Sequence, residues 1–302
     1  MFKLCGIYAP IPTPFKDGQI AFAELESNLE YWLSSKLEGI VVLGSNGEFI
    51  MLSDEEKQQL IRAVCTQAKG RKPVIVGTGT ETTHGTIELN KLAAEAGASA
   101  ALVLSPNYFK KAMNDRVLKE FYLEVAEASP IPIILYNMPG NSGINLSPKL
   151  VAELATHPNI IGIKDSGGNI VQIAEIIHTT PDDFSVFAGS ASFLFVSIAL
   201  GAVGGTLALA NVFPNECARI QEFVENSQFA EARALQLNLI EANNSVTARW
   251  GVSGLKAALE LMGLYGGEPR KPLLPLGDED REQLRTIIRR AEEKCRVKVP
   301  CN

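Results

Sequence analysis

Eight short, almost wholly apolar runs recur along the chain with amphipathic stretches between them, and this alternation constrains the fold more than any other feature. The runs are Gly6–Ala9, Gly39–Gly44, Pro73–Gly77, Ala101–Leu104, Pro132–Tyr136, Ile160–Lys164, Phe184–Ala188 and Gly205–Leu209. A strand with one wet face alternates apolar and polar residues. Strands that are apolar throughout are covered on both faces, as in a parallel sheet wrapped by helices. The stretches Ser53–Lys69, Thr86–Ala96, Asn114–Ala128 and Ser147–Thr156 carry helical periodicity. Ser53 is a predicted cap, with Glu56 at capping-box spacing after it. Strand and helix alternating at roughly 30-residue spacing predict an α/β fold, a (β/α)8 TIM barrel of about 225 residues. An open doubly wound sheet is the competitor. Its dinucleotide fingerprint is missing: the nearest candidate, Gly77-Thr78-Gly79-Thr80-Glu81-Thr82, lacks the third glycine.

Beyond the eighth unit the pattern is purely helical. Gln228–Glu241, Gly254–Met262 and Asp278–Lys294 read as three helices, the last capped by Asp278, with a Gly/Pro-rich segment Gly263–Gly277 before it. The expected organisation is a catalytic barrel over residues 1–225 and a C-terminal three-helix extension over 226–302.

Composition removes several function classes. Lys plus Arg number 28 and Asp plus Glu 34, a formal charge of −6, so no basic surface is expected to face nucleic-acid phosphates. With 46% apolar and 21% charged residues the chain is not disordered. Phe184–Asn215 is uncharged over a length that exceeds the ~20 residues a membrane helix needs. It is interrupted by Gly189, Gly201, Gly204, Gly205 and by Ser190, Ser192, Ser197 and Asn211, and reads as a buried strand, a helix and a second strand. No membrane association is expected. The cysteines at 5, 65, 217, 295 and 301 are odd in number and lack CxxC spacing, which suits reduced thiols in a cytoplasmic protein. Met1–Pro10 has no apolar stretch long enough for a secretory signal. His84, His157 and His178 have no metal-ligand spacing, so no metal is expected.

A barrel of this type places its chemistry at the C-terminal ends of the strands. Those ends read Thr13, Gly44-Ser45-Asn46-Gly47-Glu48, Pro106-Asn107-Tyr108, Tyr136-Asn137, Lys164-Asp165-Ser166, Gly189-Ser190 and Thr206. Lys164 follows an apolar run, where poor hydration favours the neutral amine that imine formation needs. The plainer alternative is a lysine that snorkels outward or pairs with Asp165. Tyr136 is placed either to shuttle protons or simply to pack with one hydrogen bond. Gly44–Gly47 can converge backbone N–H groups on a carboxylate or phosphate, or only turn the chain, and Glu48 reads as support for that loop.

Taken together these strand ends resemble the dihydrodipicolinate synthase/N-acetylneuraminate lyase family of pyruvate-handling class I aldolases. The resemblance covers nearly the whole chain. It is carried by Gly44–Glu48, Tyr108, Leu135-Tyr136-Asn137-Met138-Pro139, Gly162-Ile163-Lys164-Asp165-Ser166 and Gly204–Asn211. It implies a (β/α)8 barrel with a helical extension, and a homotetramer built as a dimer of dimers. It also implies that Lys164 is the Schiff-base lysine, Tyr136 the proton relay, and Ser45 with Asn46 the pair that holds the pyruvyl carboxylate. Tyr108 matches the tyrosine that reaches into the neighbouring subunit's site. Gly47, Asn141, Ser166, Gly189 and Thr206 complete the candidate substrate-binding set. No cofactor is expected, since the covalent imine on Lys164 carries the chemistry.

Within the family the sequence is most similar to 4-hydroxy-2-oxoglutarate aldolases, through Gly44–Phe49, His157-Pro158-Asn159-Ile160, Lys164–Gly168, Gly201–Gly205 and Leu264-Tyr265-Gly266-Gly267. Typical dihydrodipicolinate synthases carry an arginine where this chain has Asn141. Lysine-inhibited ones carry histidines where it has Asp54 and Lys57. The expected activity is cleavage of 4-hydroxy-2-oxoglutarate to pyruvate and glyoxylate. The alternatives are condensation of pyruvate with aspartate semialdehyde and a non-catalytic carboxylate-binding barrel.

Overall fold

The computed structural model describes residues 2–296; Met1 and residues 297–302, with the expected thiol of Cys301, lie outside the described part. The strands are β1 (Gly6–Pro10), β2 (Phe15–Lys16), β3 (Gln19–Ile20), β4 (Gly39–Val42), β5 (Val74–Gly77), β6 (Ala100–Leu104), β7 (Ile133–Asn137), β8 (Ile160–Asp165), β9 (Ser185–Ala188) and β10 (Gly204–Thr206). Eight of them close into a barrel in the order β1-β10-β9-β8-β7-β6-β5-β4, every neighbouring pair parallel. The protein is therefore a (β/α)8 barrel.

Two details depart from the sequence expectation. A small antiparallel hairpin, β2–β3, follows the first strand, turning through Asp17 and Gly18, both at positive φ. The predicted last strand Gly205–Leu209 is split: β10 ends at Thr206 and Ala208–Asn211 forms a single tight helical turn. Leu207 and Leu209 stay buried there, so apolarity alone did not mark where the strand stops.

The side chains of the strands sort into two layers because successive residues face opposite sides. Leu4, Tyr8, Val41, Ile75, Leu102, Ile134, Tyr136 and Phe187 fill the barrel's interior. Val42, Val76, Val103, Leu135 and Ile163 point outward against the surrounding helices. The helix Asp54–Ala68 shows how sequence sets a boundary: Ser53 accepts from the N–H of Glu56, and the Glu56 carboxylate accepts from the N–H of Ser53. After β10 come the helices Pro214–Glu225, Phe229–Asn244, Gly251–Leu261 and Asp278–Arg296. The last three fall on the stretches Gln228–Glu241, Gly254–Met262 and Asp278–Lys294 that read as helical. The uncharged stretch Phe184–Asn215 resolves into β9, the helix Leu194–Ala199 and β10. Among the described residues no helix is long and apolar enough to cross a membrane.

Candidate active site

Lys164 and Tyr136 are register partners on the adjacent strands β8 and β7, so their side chains leave the sheet together toward the barrel's mouth. Each is only 5% exposed. The Lys164 ammonium lies 4.3 Å from the centroid of the Tyr136 ring. Burial pushes the phenol's pKa up. The positive charge of Lys164 and hydrogen bonds involving Ser45, Lys164 and Ser166 outweigh it, and the pKa is held below the ordinary tyrosine value. This brings Lys164, Tyr136, Ser45 and Ser166, drawn from three different strand ends, to one point.

The same alternation settles whether Asp165 pairs with Lys164. Asn137 and Asp165 are also register partners, one residue further on, and therefore face outward. Fully buried, Asp165 accepts from the Asn137 amide (2.7 Å), the Gln172 amide (3.1 Å) and the N–H of Gly167 (2.8 Å). Asn145 closes this network onto Asn137 and Gln172. The carboxylate is thus fully used in fixing the β7 and β8 ends from behind. Neither Asn145 nor Gln172 carries a sequence signal for this role.

The loop after β4 makes one tight turn over Ser45–Gly47, with the N–H of Gly47 donating to the Gly44 carbonyl. As the first residues of such a turn, Ser45 and Asn46 have backbone N–H groups without an internal partner. The Asn46 amide donates to the Pro10 carbonyl at 3.4 Å, and the Thr13 hydroxyl donates to the Gly47 carbonyl at 2.7 Å. Gly189 sits beside Ser166 because nothing larger fits: a Cβ there would stand 2.0 Å from the Ser166 hydroxyl oxygen.

Ser45 and Asn141 line one cavity of about 380 Å³ with Lys57, Glu81 and Asn107, and a smaller void reaches from its Ser45 wall to Tyr136. A larger cavity, about 780 Å³, lies between the β2–β3 hairpin and the C-terminal helices and holds none of the strand-end residues proposed for the chemistry. We place the site at the smaller one because Ser45 lines it and the void behind that wall reaches Tyr136, the register partner of Lys164, which itself lines neither. Thr206 is buried at the end of β10 but does not line it. Tyr108 is 78% exposed, stacked edge-on against Phe109, and is not brought into the cavity by its own chain. Its segment is nonetheless fixed: the Glu81 carboxylate accepts from the N–H groups of Asn107 and Tyr108. Among the described residues no cluster of three or more His, Cys, Asp or Glu side chains is placed to share a metal ion.

Sequence comparison places this geometry in a known group. Residues 3–291 match the model of the dihydrodipicolinate synthetase family. A 4-hydroxy-tetrahydrodipicolinate synthase of Pelobacter propionicus is 35% identical over 289 residues, covering 96% of this chain and 98% of that protein. The 4-hydroxy-tetrahydrodipicolinate synthase structure from Methylacidiphilum fumariolicum SolV superposes with a TM-score of 0.92 at 31% identity, covering 97% of both chains. A prophage protein of the dihydrodipicolinic acid synthase family from E. coli K12, solved in complex with pyruvate, gives 0.90 at 29% identity, covering 95% of this chain and 98% of that one. The chain belongs to the dihydrodipicolinate synthetase family and is an enzyme of the pyruvate-dependent class I aldolase/lyase type.

Proposed function

We propose that Lys164 forms an imine with the C2 carbonyl of a 2-oxo acid whose pyruvyl portion is shared by substrate and product, and that no cofactor takes part. The observation that carries this is the buried contact between the Lys164 ammonium and the Tyr136 ring at 4.3 Å. Binding alone gains nothing from a lysine set in an apolar barrel beside a phenol, which argues against a non-catalytic barrel. The Lys164 amine attacks C2, and Tyr136 supplies the proton with which the former carbonyl oxygen leaves as water. The imine then accepts the electron pair released when C3 loses its substituent, or loses a proton to the Tyr136 phenolate, giving an enamine. In the condensing direction C3 of the enamine attacks an aldehyde carbon and Tyr136 returns a proton to the new alkoxide. In the cleaving direction the Tyr136 phenolate takes the hydroxyl proton as the C3–C4 bond breaks, the phenol delivers it to C3 of the enamine, and hydrolysis of the resulting imine frees pyruvate. Ser45, the N–H groups of Ser45 and Asn46, and the small Gly47 receive the carboxylate. Ser166 keeps the phenol oriented, and Gly189 leaves the Ser166 side chain its room.

For the second substrate, the relatives support aspartate semialdehyde, so condensation to the dihydrodipicolinate precursor is preferred over the cleavage expected from sequence. One observation favours 4-hydroxy-2-oxoglutarate instead: Asn141 lines the cavity with neutral donors where a cation would clamp a second carboxylate. Exposed Tyr108 suits donation to a neighbouring copy in a homotetramer. Borohydride with pyruvate should add one pyruvyl group to the peptide holding Lys164. An adduct on a different lysine, or none, overturns the reading. kcat/KM for the two substrates in one buffer then decides the aldehyde.

A further inference from the structure

We infer that Lys256, carried by the C-terminal helix Gly251–Leu261, is a positioning residue for the reaction: through Glu48 it holds the Ser45–Gly47 turn in the shape that receives the substrate carboxylate. This rests on the function proposed above, which assigns that turn to the carboxylate.

Lys256 is an anomaly in its helix. Its neighbours Leu255, Ala257, Ala258 and Leu259 are all buried, and Lys256 itself is only 1% exposed. Its Nζ stands 2.6 Å from Oε1 of Glu48, with both side chains 1% exposed. The ammonium also donates to the Glu268 carbonyl at 3.0 Å and lies 4.5 Å from the Phe15 ring centroid. Glu48 Oε2 accepts from the backbone N–H of Arg270 at 2.7 Å. One barrel carboxylate is therefore held at two points, both supplied by the C-terminal extension.

Glu48 is where that hold acts on the turn. It directly follows Gly47, and its N–H donates back to the Ser45 carbonyl at 3.1 Å. Its φ is +56°, and Leu43, at the other end of the loop, has φ +58°. Neither is glycine, so both occupy a left-handed conformation that persists only where the surroundings impose it. Leu43 is locked by full burial in the core. Glu48 is locked by its carboxylate, and so by Lys256 and the Arg270 N–H. A buried ion pair is a weak device for stability, because desolvating two charges offsets most of their attraction. As a device for fixing one backbone geometry it is effective, since both charges must meet at one place. Lys256 reaches neither Lys164 nor the cavity lined by Ser45 and Asn141, so its influence runs through Glu48.

The test compares full-length wild type, Lys256→Met with Glu48→Gln, and Lys256→Gln with Glu48→Gln, by borohydride trapping against pyruvate concentration and by thermal midpoint. Neither double variant leaves a buried charge unpaired. Half-saturating pyruvate should rise about tenfold in the folded Lys256→Met, Glu48→Gln variant while the trapping rate at saturation changes by less than about threefold, the signature of lost binding geometry. Lys256→Gln with Glu48→Gln, which keeps a neutral hydrogen-bonding pair, carries the test where the first variant does not fold, and should show a rise of about threefold or more. Wild-type half-saturation in either folded variant overturns the inference while leaving the Schiff-base reading intact. Failure of wild type itself to trap pyruvate overturns both.

Discussion

The Lys164 ammonium rests 4.3 Å from the centre of the Tyr136 ring because the two residues pair in register across β7 and β8. Parallel partners point the same way, so an amine and a phenol at matching strand ends are forced into contact. The next pair in register, Asn137 and Asp165, is forced to the opposite face for the same reason. One step of the pleat separates the reacting groups from the Asp165 carboxylate, which bonds Asn137, Gln172 and Gly167 instead.

Removing the phenol oxygen alone tests this contact. Tyr136→Phe keeps the ring over Lys164 and should fold normally, since the hydroxyl contributes little to the packing. Turnover should fall by roughly 10²–10⁴-fold, the scale for losing a positioned proton donor. Circular dichroism and steady-state kinetics on the same preparation check it. Turnover within a factor of about two of wild type would reduce Tyr136 to packing.

The pH profile should carry the mark of the same neighbours. Burial raises the Tyr136 pKa, but Lys164, Ser45 and Ser166 together hold it below the value of 10.0 for an ordinary tyrosine. A lowered phenol loses its proton earlier as pH rises, so the donor form disappears before pH 10.0 is reached. The alkaline limb of kcat/KM, which reports groups of the free enzyme, should therefore fall below that value. Ser166→Ala deletes one group that lowers the pKa and should move the limb upward. A limb that stays in place, or moves downward, contradicts the assignment.

Arg270 ties the extension to the barrel a second time. Its guanidinium donates to both Glu56 oxygens at 2.7 and 2.6 Å and to the carbonyls of Met51 and Gly18. Hydrogen bonding to Arg270, opposed by partial burial and helped by Ser53, lowers the Glu56 pKa below 4.5. A carboxylate whose folded pKa is depressed stabilises the fold fully above its unfolded value and loses that contribution as pH falls through the folded one. Glu56→Gln should cost about 1.5–3 kcal/mol near neutrality, the range for hydrogen bonds to a charged group. The gap in thermal midpoint between wild type and variant should narrow once the pH is taken below 4.5. A gap that is the same at both pH values would show that the charge is not what stabilises.

The barrel was legible because its strands are apolar on both faces and each ends abruptly in a polar residue, as Ile163 gives way to Lys164 and Leu135 to Tyr136. What could not be read was which strand ends meet. The contact between Lys164 and Tyr136 depends on register, and the outward turn of Asp165 depends on pleat; neither leaves a mark in composition. The hairpin β2–β3 did leave one, the Asp17-Gly18 pair, but strands of two residues are too short to show a period. Lys256 is the opposite case: a lone charge among buried apolar neighbours, visible as odd in the sequence, with a partner in Glu48 that only the tertiary fold reveals. Residues that hold the site from behind, such as Gln172 and Asn145, look like ordinary surface amides until the helices are packed.

Substrate choice turns on Asn141. The residue lines the cavity that contains Ser45, and among the described residues lining it Lys57 is the one cation, already 3.0 Å from the carboxylate of Asp54. An arginine at 141 would offer two charged hydrogen bonds in a planar fork, whereas asparagine offers neutral donors. A buried carboxylate that loses such a partner weakens binding by on the order of 2–5 kcal/mol. Asn141→Arg should therefore raise kcat/KM for aspartate semialdehyde relative to 4-hydroxy-2-oxoglutarate, with the ratio measured for wild type and variant in one buffer. If wild type already prefers the semialdehyde and the substitution leaves the ratio unchanged, position 141 does not face the substrate carboxylate. Lys57 is then the group to replace: in that case Lys57→Met should lower kcat/KM for the semialdehyde by about tenfold or more, in line with the loss of one charged hydrogen bond.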